Sequence, residues 1–210
     1  SELLAWAGFG LRIEAVRAAY TAKGGGCLRA EIEPRALAGR RLVLDQRGAL
    51  QAVRVRAGAS RLPPRLAVSE RATRTLARTL WEARRLEVEV EVLAPKSTTP
   101  GSWLCVEAVF DHGRAAFAAL GERGLAPEAL GDRLARRLLR FLEDEEGGVD
   151  ALSAELLAVP LAVAGVVSRV SAPEVSQALA VSLEVLAAFG LPVEGFGRVG
   201  GPGGFEVRAC

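Results

Sequence analysis

The 210-residue chain has no methionine, one histidine and three cysteines. Cys27, Cys105 and Cys210 are odd in number and widely spaced, and a single histidine cannot complete the ligand clusters zinc prefers. Metal and redox roles therefore drop out, and the thiols read as buried or terminal. Aromatic residues make up 5% and do not interleave with the basic ones, so no base-stacking platform is indicated. No run approaches the ~18 uncharged residues a membrane span needs, and the longest candidate, Leu156 to Val167, is broken by Pro160. Ser1-Glu-Leu-Leu-Ala-Trp offers neither the basic start nor the cleavage site of a signal peptide. The expectation is a cytoplasmic protein without a membrane partner. Net charge is +2 despite 27 basic side chains, mostly arginine. This balance excludes a strongly basic nucleic-acid coat and leaves room for a local basic groove.

Half of the residues are apolar, enough for a substantial core in one large or two modest domains. The first residues start abruptly inside a helix-like pattern, which suggests a piece of something larger. Leu11–Arg17 and Leu28–Glu33 alternate apolar and charged residues, the signature of half-buried strands, and Gly24-Gly25-Gly26 between them predicts a hairpin. Pro34 to Gly48 reads as a connection. A strand is expected over Leu50–Ala57, then a helix opened by Pro63-Pro64 and running to about Arg85. Leu86–Leu93 sets valines on one strand face and glutamates on the other. Trp103–Phe110 and Arg114–Leu120 should pair across Asp111-His112-Gly113, followed by a helix over Ala126–Asp144. Glu143 to Gly148 is the candidate hinge, its acids a solvated linker. The remainder reads as a helix (Asp150–Ala164), a strand (Val166–Val170), a helix (Pro173–Phe189) and two strands (Val193–Val199 and Phe205–Arg208), an α/β packing unit.

Several of these segments, in this order, resemble the RNA 3'-terminal phosphate cyclase family. Tyr20-Thr-Ala-Lys-Gly-Gly-Gly26 is similar to the family's Tyr-x-Pro-(Arg/Lys)-Gly-Gly-Gly turn, with Ala22 in place of proline. Gly121-Glu-Arg-Gly124 matches a Gly-(Glu/Lys)-Arg-Gly segment, and Leu157-Ala-Val-Pro-Leu-Ala-Val-Ala-Gly165 resembles an aliphatic run ending near Ala-Leu-Ala. Glu174 to Leu186 resembles the family's last conserved helix. The resemblance implies repeated α/β units of the kind found in the enolpyruvyl transferases, with a smaller α/β domain inserted before the last unit. On this chain it divides residues 1–46 (core), 47–144 (insert) and 145–210 (last core unit). Family members begin well upstream of Ser1, with a Glu-Gly-Gly-Gly segment and active-site arginines absent here.

The resemblance also implies a chemistry. A histidine of the family attacks the α-phosphate of ATP, AMP passes to an RNA 3'-phosphate, and the 2'-hydroxyl closes a cyclic phosphate, a ligase-class reaction of RNA processing. That nucleophile falls here at Ala178, and the Thr-Asn pair after it falls at Val181 and Ser182. An Asp-Gln pair near the nucleotide falls at Glu155-Leu156, preceded by Leu152 in place of an aromatic or histidine. By the same resemblance Glu155 is the candidate nucleotide-binding residue, and Lys23 and Arg123 are candidate phosphate or RNA contacts. The expected partners are RNA with a 3'-terminal phosphate and further proteins, with ATP as cofactor. No catalytic residue is assigned. Two readings stay open: a cyclase-like protein acting in RNA binding or processing, and an active cyclase whose missing residues lie outside this chain. His112 reads as a solvated turn residue, Lys23-Gly24-Gly25-Gly26 as a tight turn, and Arg133, Arg136, Arg137 and Arg140 as a solvated helix face.

Overall fold

Alternation of small apolar and charged residues builds the longest strands of the computed structural model, which describes residues 2–34, 40–144 and 147–209. The chain begins with α1 (Glu2–Trp6), β1 (Gly10–Arg17), β2 (Cys27–Glu33), β3 (Arg41–Leu44) and β4 (Leu50–Ser60). After a 3-10 turn at Pro64–Leu66 come α2 (Val68–Arg84), β5 (Glu89–Leu93), β6 (Gly101–Phe110), β7 (Arg114–Leu120) and α3 (Pro127–Glu143). The last part holds α4 (Ala151–Val163), β8 (Val167–Ala172), α5 (Gln177–Ala188), β9 (Val193–Gly197) and β10 (Gly203–Val207).

Two four-stranded sheets result, each with helices packed against it, so the architecture is mixed α/β. The first has the order β5-β4-β6-β7. Strand β6 alternates buried and half-buried residues along its whole length, sending Leu104, Val106, Ala108 and Phe110 inward. That face is covered by Leu76 and Leu80 of α2 and Leu134 and Leu138 of α3. The two helices approach closely because Gly131 leaves room; a Cβ there would lie 2.3 Å from the Ala72 carbonyl oxygen. Each fully buried leucine contributes about 1.5–3 kcal/mol of burial free energy. Pro127 opens α3, where its missing N–H costs nothing, and Arg140 in the last turn faces the carbonyl end of the dipole.

The second sheet runs β3-β8-β10-β9, with β3 parallel to β8 and the other pairs antiparallel. Phe205, Leu44 and Val170 pack beneath Leu161 of α4 and Leu179 of α5, and Ala7 after α1 joins the same core. The sheets are fastened together around Asp150. Arg114 of β7 donates its backbone N–H to Gly148 O at 3.2 Å, and Ala116 N donates to Asp150 Oδ2 at 3.1 Å. The Arg114 side chain ion-pairs with Glu107 at 3.0 Å and with Glu2, and lies over the Trp6 ring, holding α1 against β7.

Several sequence expectations are corrected. The hairpin of β1 and β2 forms with the expected antiparallel register, but β2 is exposed along its whole length and β1 along most of it, Ile32 reaching 75% exposure. Alternation licenses two faces; no element of the described chain covers either face of β2. The stretch read as a connection contains β3, a four-residue strand recruited by parallel pairing with β8. Strand β5 is shorter than expected and is exposed along its whole length at the edge of the sheet. Within the proposed hinge Gly147 and Gly148 are buried, and a Cβ on Gly148 would lie 2.3 Å from Leu44 O, so these glycines are packing positions. Glu145, Glu146 and Cys210 lie outside the described residues, as do 35–39. Cys27 is exposed rather than buried, and Cys105 is intermediate. Helix α5 starts at Gln177, not at Pro173, because Ser176 takes the N-cap and Val175 pairs with Val199.

Candidate functional site

The start of α5 is fixed by side-chain hydrogen bonds. Ser176 Oγ accepts from Leu179 N at 3.0 Å, the N-cap arrangement that satisfies a free helix donor. The same hydroxyl donates to Glu155 Oε2 at 3.0 Å, tying the middle of α4 to the first turn of α5. Ala178 therefore sits in the first turn of a well-anchored helix, exposed, on the stripe that also carries Val181 and Val185 by i, i+3, i+7 spacing. Glu155, Ser176 and Ala178 are thus brought together.

What surrounds them is hydrocarbon. Leu152, Leu156, Val159 and Val163 are exposed along one stripe of α4, Leu156 at 65%. Val159 and Val163, with Val181, Val185, Phe189 and Leu191, line a groove of about 550 Å³. Positions Leu152, Leu156 and Val181, which the resemblance assigns to the neighbourhood of the nucleotide, lie on these exposed apolar stripes. An apolar face presents no donors to phosphate oxygens, and Glu155 is engaged with Ser176. The residue set at these positions does not fit a triphosphate.

Lys23 and Arg123 are not part of this arrangement. Lys23 is exposed in the turn between β1 and β2, which docks on the segment before β6: Tyr20 N donates to Thr99 Oγ1 at 3.1 Å, and Thr98 Oγ1 donates to Gly24 O. Arg123 is exposed in the turn after β7, whose Gly121 N donates to Ser102 O at 2.8 Å. Both therefore belong to the end of the sheet where β6 begins. Asp150 is tied to the other end through Ala116, and Ala116 to Gly121 spans roughly 16 Å at about 3.3 Å per residue. His112 is exposed in the tight turn between β6 and β7, its N–H bonded to Arg47 O at 2.9 Å. Arg47 itself is buried, donating to Phe141 O at 2.8 Å with its guanidinium 4.6 Å from the Phe141 ring centroid.

A second cavity, of about 370 Å³, opens between α3 and the beginning of α4. Arg137, Arg140 and Asp144 line it from the α3 side, Leu152 and Glu174 from the other. Sequence reasoning missed this cleft, because its walls come from segments separated by the buried joint at Asp150. Among the described residues no group of three or more His, Cys, Asp or Glu could hold a metal ion, and no helix is long and apolar enough to cross a membrane.

Comparison with known proteins places these features in a family. Residues 45–143 match the family model described as the RNA 3'-terminal phosphate cyclase insert domain. The chain is 31% identical over 201 residues to an RNA 3'-terminal phosphate cyclase of Thermococcus gammatolerans, covering 94% of this chain and 57% of that protein. It is 36% identical over 104 residues to a protein of the same name from Halobacterium salinarum, covering 50% of this chain and 30% of that one. A third relative of that name, from Gloeothece citriformis, is 28% identical over 148 residues, 70% of this chain and 41% of the relative. The chain thus spans between about a third and a little over half of the curated relatives it matches. The order of its elements and these matches agree: the chain belongs to the RNA 3'-terminal phosphate cyclase family.

Proposed function

We propose that the chain is part of a cyclase-like protein that binds 3'-phosphate RNA in RNA processing without forming an adenylylated intermediate, with residues 47–144 as the inserted domain. The observation that carries this reading is Ala178, exposed on the first turn of α5 where the family nucleophile is expected. A methyl group has no lone pair with which to attack phosphorus. The neighbouring positions support it, since Leu152, Leu156 and Val181 offer hydrocarbon where nucleotide contacts are expected. His112, the chain's one histidine, does not line the cleft beside α4.

A second reading is an active ATP-dependent cyclase that uses residues beyond these 210. It is favoured by the names of the relatives and by the 57% of the Thermococcus protein that the match spans. Incubation of the chain with ATP and 3'-phosphate RNA, followed by chromatography of the RNA ends, tests the proposal. The expected result is tighter binding of 3'-phosphate than of 3'-hydroxyl RNA, with every 3'-phosphate recovered unchanged. Accumulation of 2',3'-cyclic ends would overturn the proposal, because it would require a nucleophile within these 210 residues.

A further inference from the structure

The four arginines of α3 fall into two pairs with different surroundings. Arg133 is bonded to Glu122 at 3.4 Å and Arg136 to Asp132 at 2.6 Å, so both are neutralised at the surface. Arg137 and Arg140 instead line the 370 Å³ cleft, and among the described residues neither has a carboxylate partner. The Arg137 guanidinium lies 5.1 Å from the Phe117 ring centroid. Stacking on a ring orients the planar fork while leaving its edge N–H groups free to donate. Arg140 lies one turn position further along the same helix face, so the two present a row of donors on the cleft wall.

Among the described residues no acid of the cleft is ion-paired with Arg137 or Arg140. Asp150 is 4% exposed and its oxygens are already bonded to Ala116 N, Ser153 N and Ser153 Oγ. Asp144 follows α3, and Glu174 stands on the wall formed by the segment before α5. Asp144 stands at the end of the arginine row and Glu174 on the opposite wall, so it is the two guanidinium forks in series, and not net charge, that favour a single row of phosphates over a diffuse anion cloud.

Resting on the reading of this chain as RNA-binding, we infer that Arg137 and Arg140 contact consecutive phosphates of a single-stranded RNA lying in the cleft between α3 and α4. The polynucleotide backbone matches two guanidinium forks presented in series, and the cleft takes in Leu152 of α4 and Glu174 just before α5. The inserted domain then contributes to RNA binding through two side chains and not through its overall charge.

The test uses the 210-residue chain and a 5'-fluorescein-labelled, 3'-phosphorylated RNA oligonucleotide, with affinity read by anisotropy over a salt series. Each phosphate contact on a single strand contributes about 0.7 to the slope of log affinity against log salt. The Arg137→Gln/Arg140→Gln variant should therefore show a slope shallower by about 1.4, so that a roughly fourfold rise in salt weakens the wild type about sevenfold more than the variant. Arg133→Gln/Arg136→Gln should leave the slope near the wild-type value, and Arg137→Lys/Arg140→Lys should keep most of it. An unchanged slope in the Arg137/Arg140 variant, or an equal loss in the Arg133/Arg136 variant, overturns the inference while the RNA-binding reading stands. Failure of the wild-type chain to bind the oligonucleotide overturns both.

Discussion

Replacing Asp150 by alanine removes three hydrogen bonds at the joint between the two sheets. Oδ1 accepts from Ser153 N at 3.1 Å and caps α4; Oδ2 accepts from Ala116 N at 3.1 Å and from Ser153 Oγ at 2.6 Å. Loss of the cap costs about 1 kcal/mol. Leaving the Ala116 N–H without its partner costs about 1–2 kcal/mol, because the site is only partly open to water. The sum is about 2–3 kcal/mol, and with a urea dependence of about 2 kcal/mol per molar the midpoint should fall by about 1–1.5 M. Far-UV circular dichroism in urea measures this, and amide exchange at Ala116 should accelerate in parallel. Asp150→Asn, which caps as well as aspartate, should lie between wild type and Asp150→Ala. A midpoint for Asp150→Ala within about 0.2 M of wild type would refute the assignment of Asp150 as the joint.

Four further outcomes are expected. Gly148→Ala should destabilise the chain by about 1–3 kcal/mol in the same assay, since the new methyl meets the Leu44 carbonyl oxygen at 2.3 Å. Phe205→Ala should cost about 3–5 kcal/mol by emptying the centre of the second core. Hydrogen bonding to Arg71 holds the Glu128 carboxyl below its ordinary value, so this contribution to stability is full at neutral pH and is lost as pH falls through that lowered value; Arg71→Ala should move the titration, followed by carboxyl NMR, upward. Burial, and to a lesser degree Glu107, raises the Cys105 thiol, so peptide mapping after brief iodoacetamide treatment should find exposed Cys27 modified well before Cys105.

The elements legible in the sequence are those whose pattern and partners are local. Strands β4 and β6, helix α3 with Pro127 in its first turn, and the β6–β7 hairpin follow from periodicity and turn chemistry alone. Strand β3 was not legible, because four residues carry too little periodicity and their partner β8 lies over a hundred residues away. The exposure of β1 and β2 could not be read from alternation, which gives the faces of a strand but not what covers them. Pro173 invited an early start for α5, whereas Ser176 competes successfully because its hydroxyl meets both Leu179 N and Glu155. Within the candidate site the assignment of Ala178 to the nucleophile position rests on the resemblance alone. The separation of Arg137 and Arg140 from Arg133 and Arg136 was only half readable, since Asp132 lies four residues before Arg136 while Glu122 and Phe117 are brought in by the fold.

The central claim is that this chain forms no covalent bond to the α-phosphorus of ATP, a methyl group standing at position 178. Incubation of the chain with ATP labelled at the α-phosphate, followed by denaturing electrophoresis before and after mild acid, measures it directly. The account predicts no acid-labile label on the protein. Label that survives denaturation and is released by acid would show a phosphoramidate nucleophile in these 210 residues and contradict it.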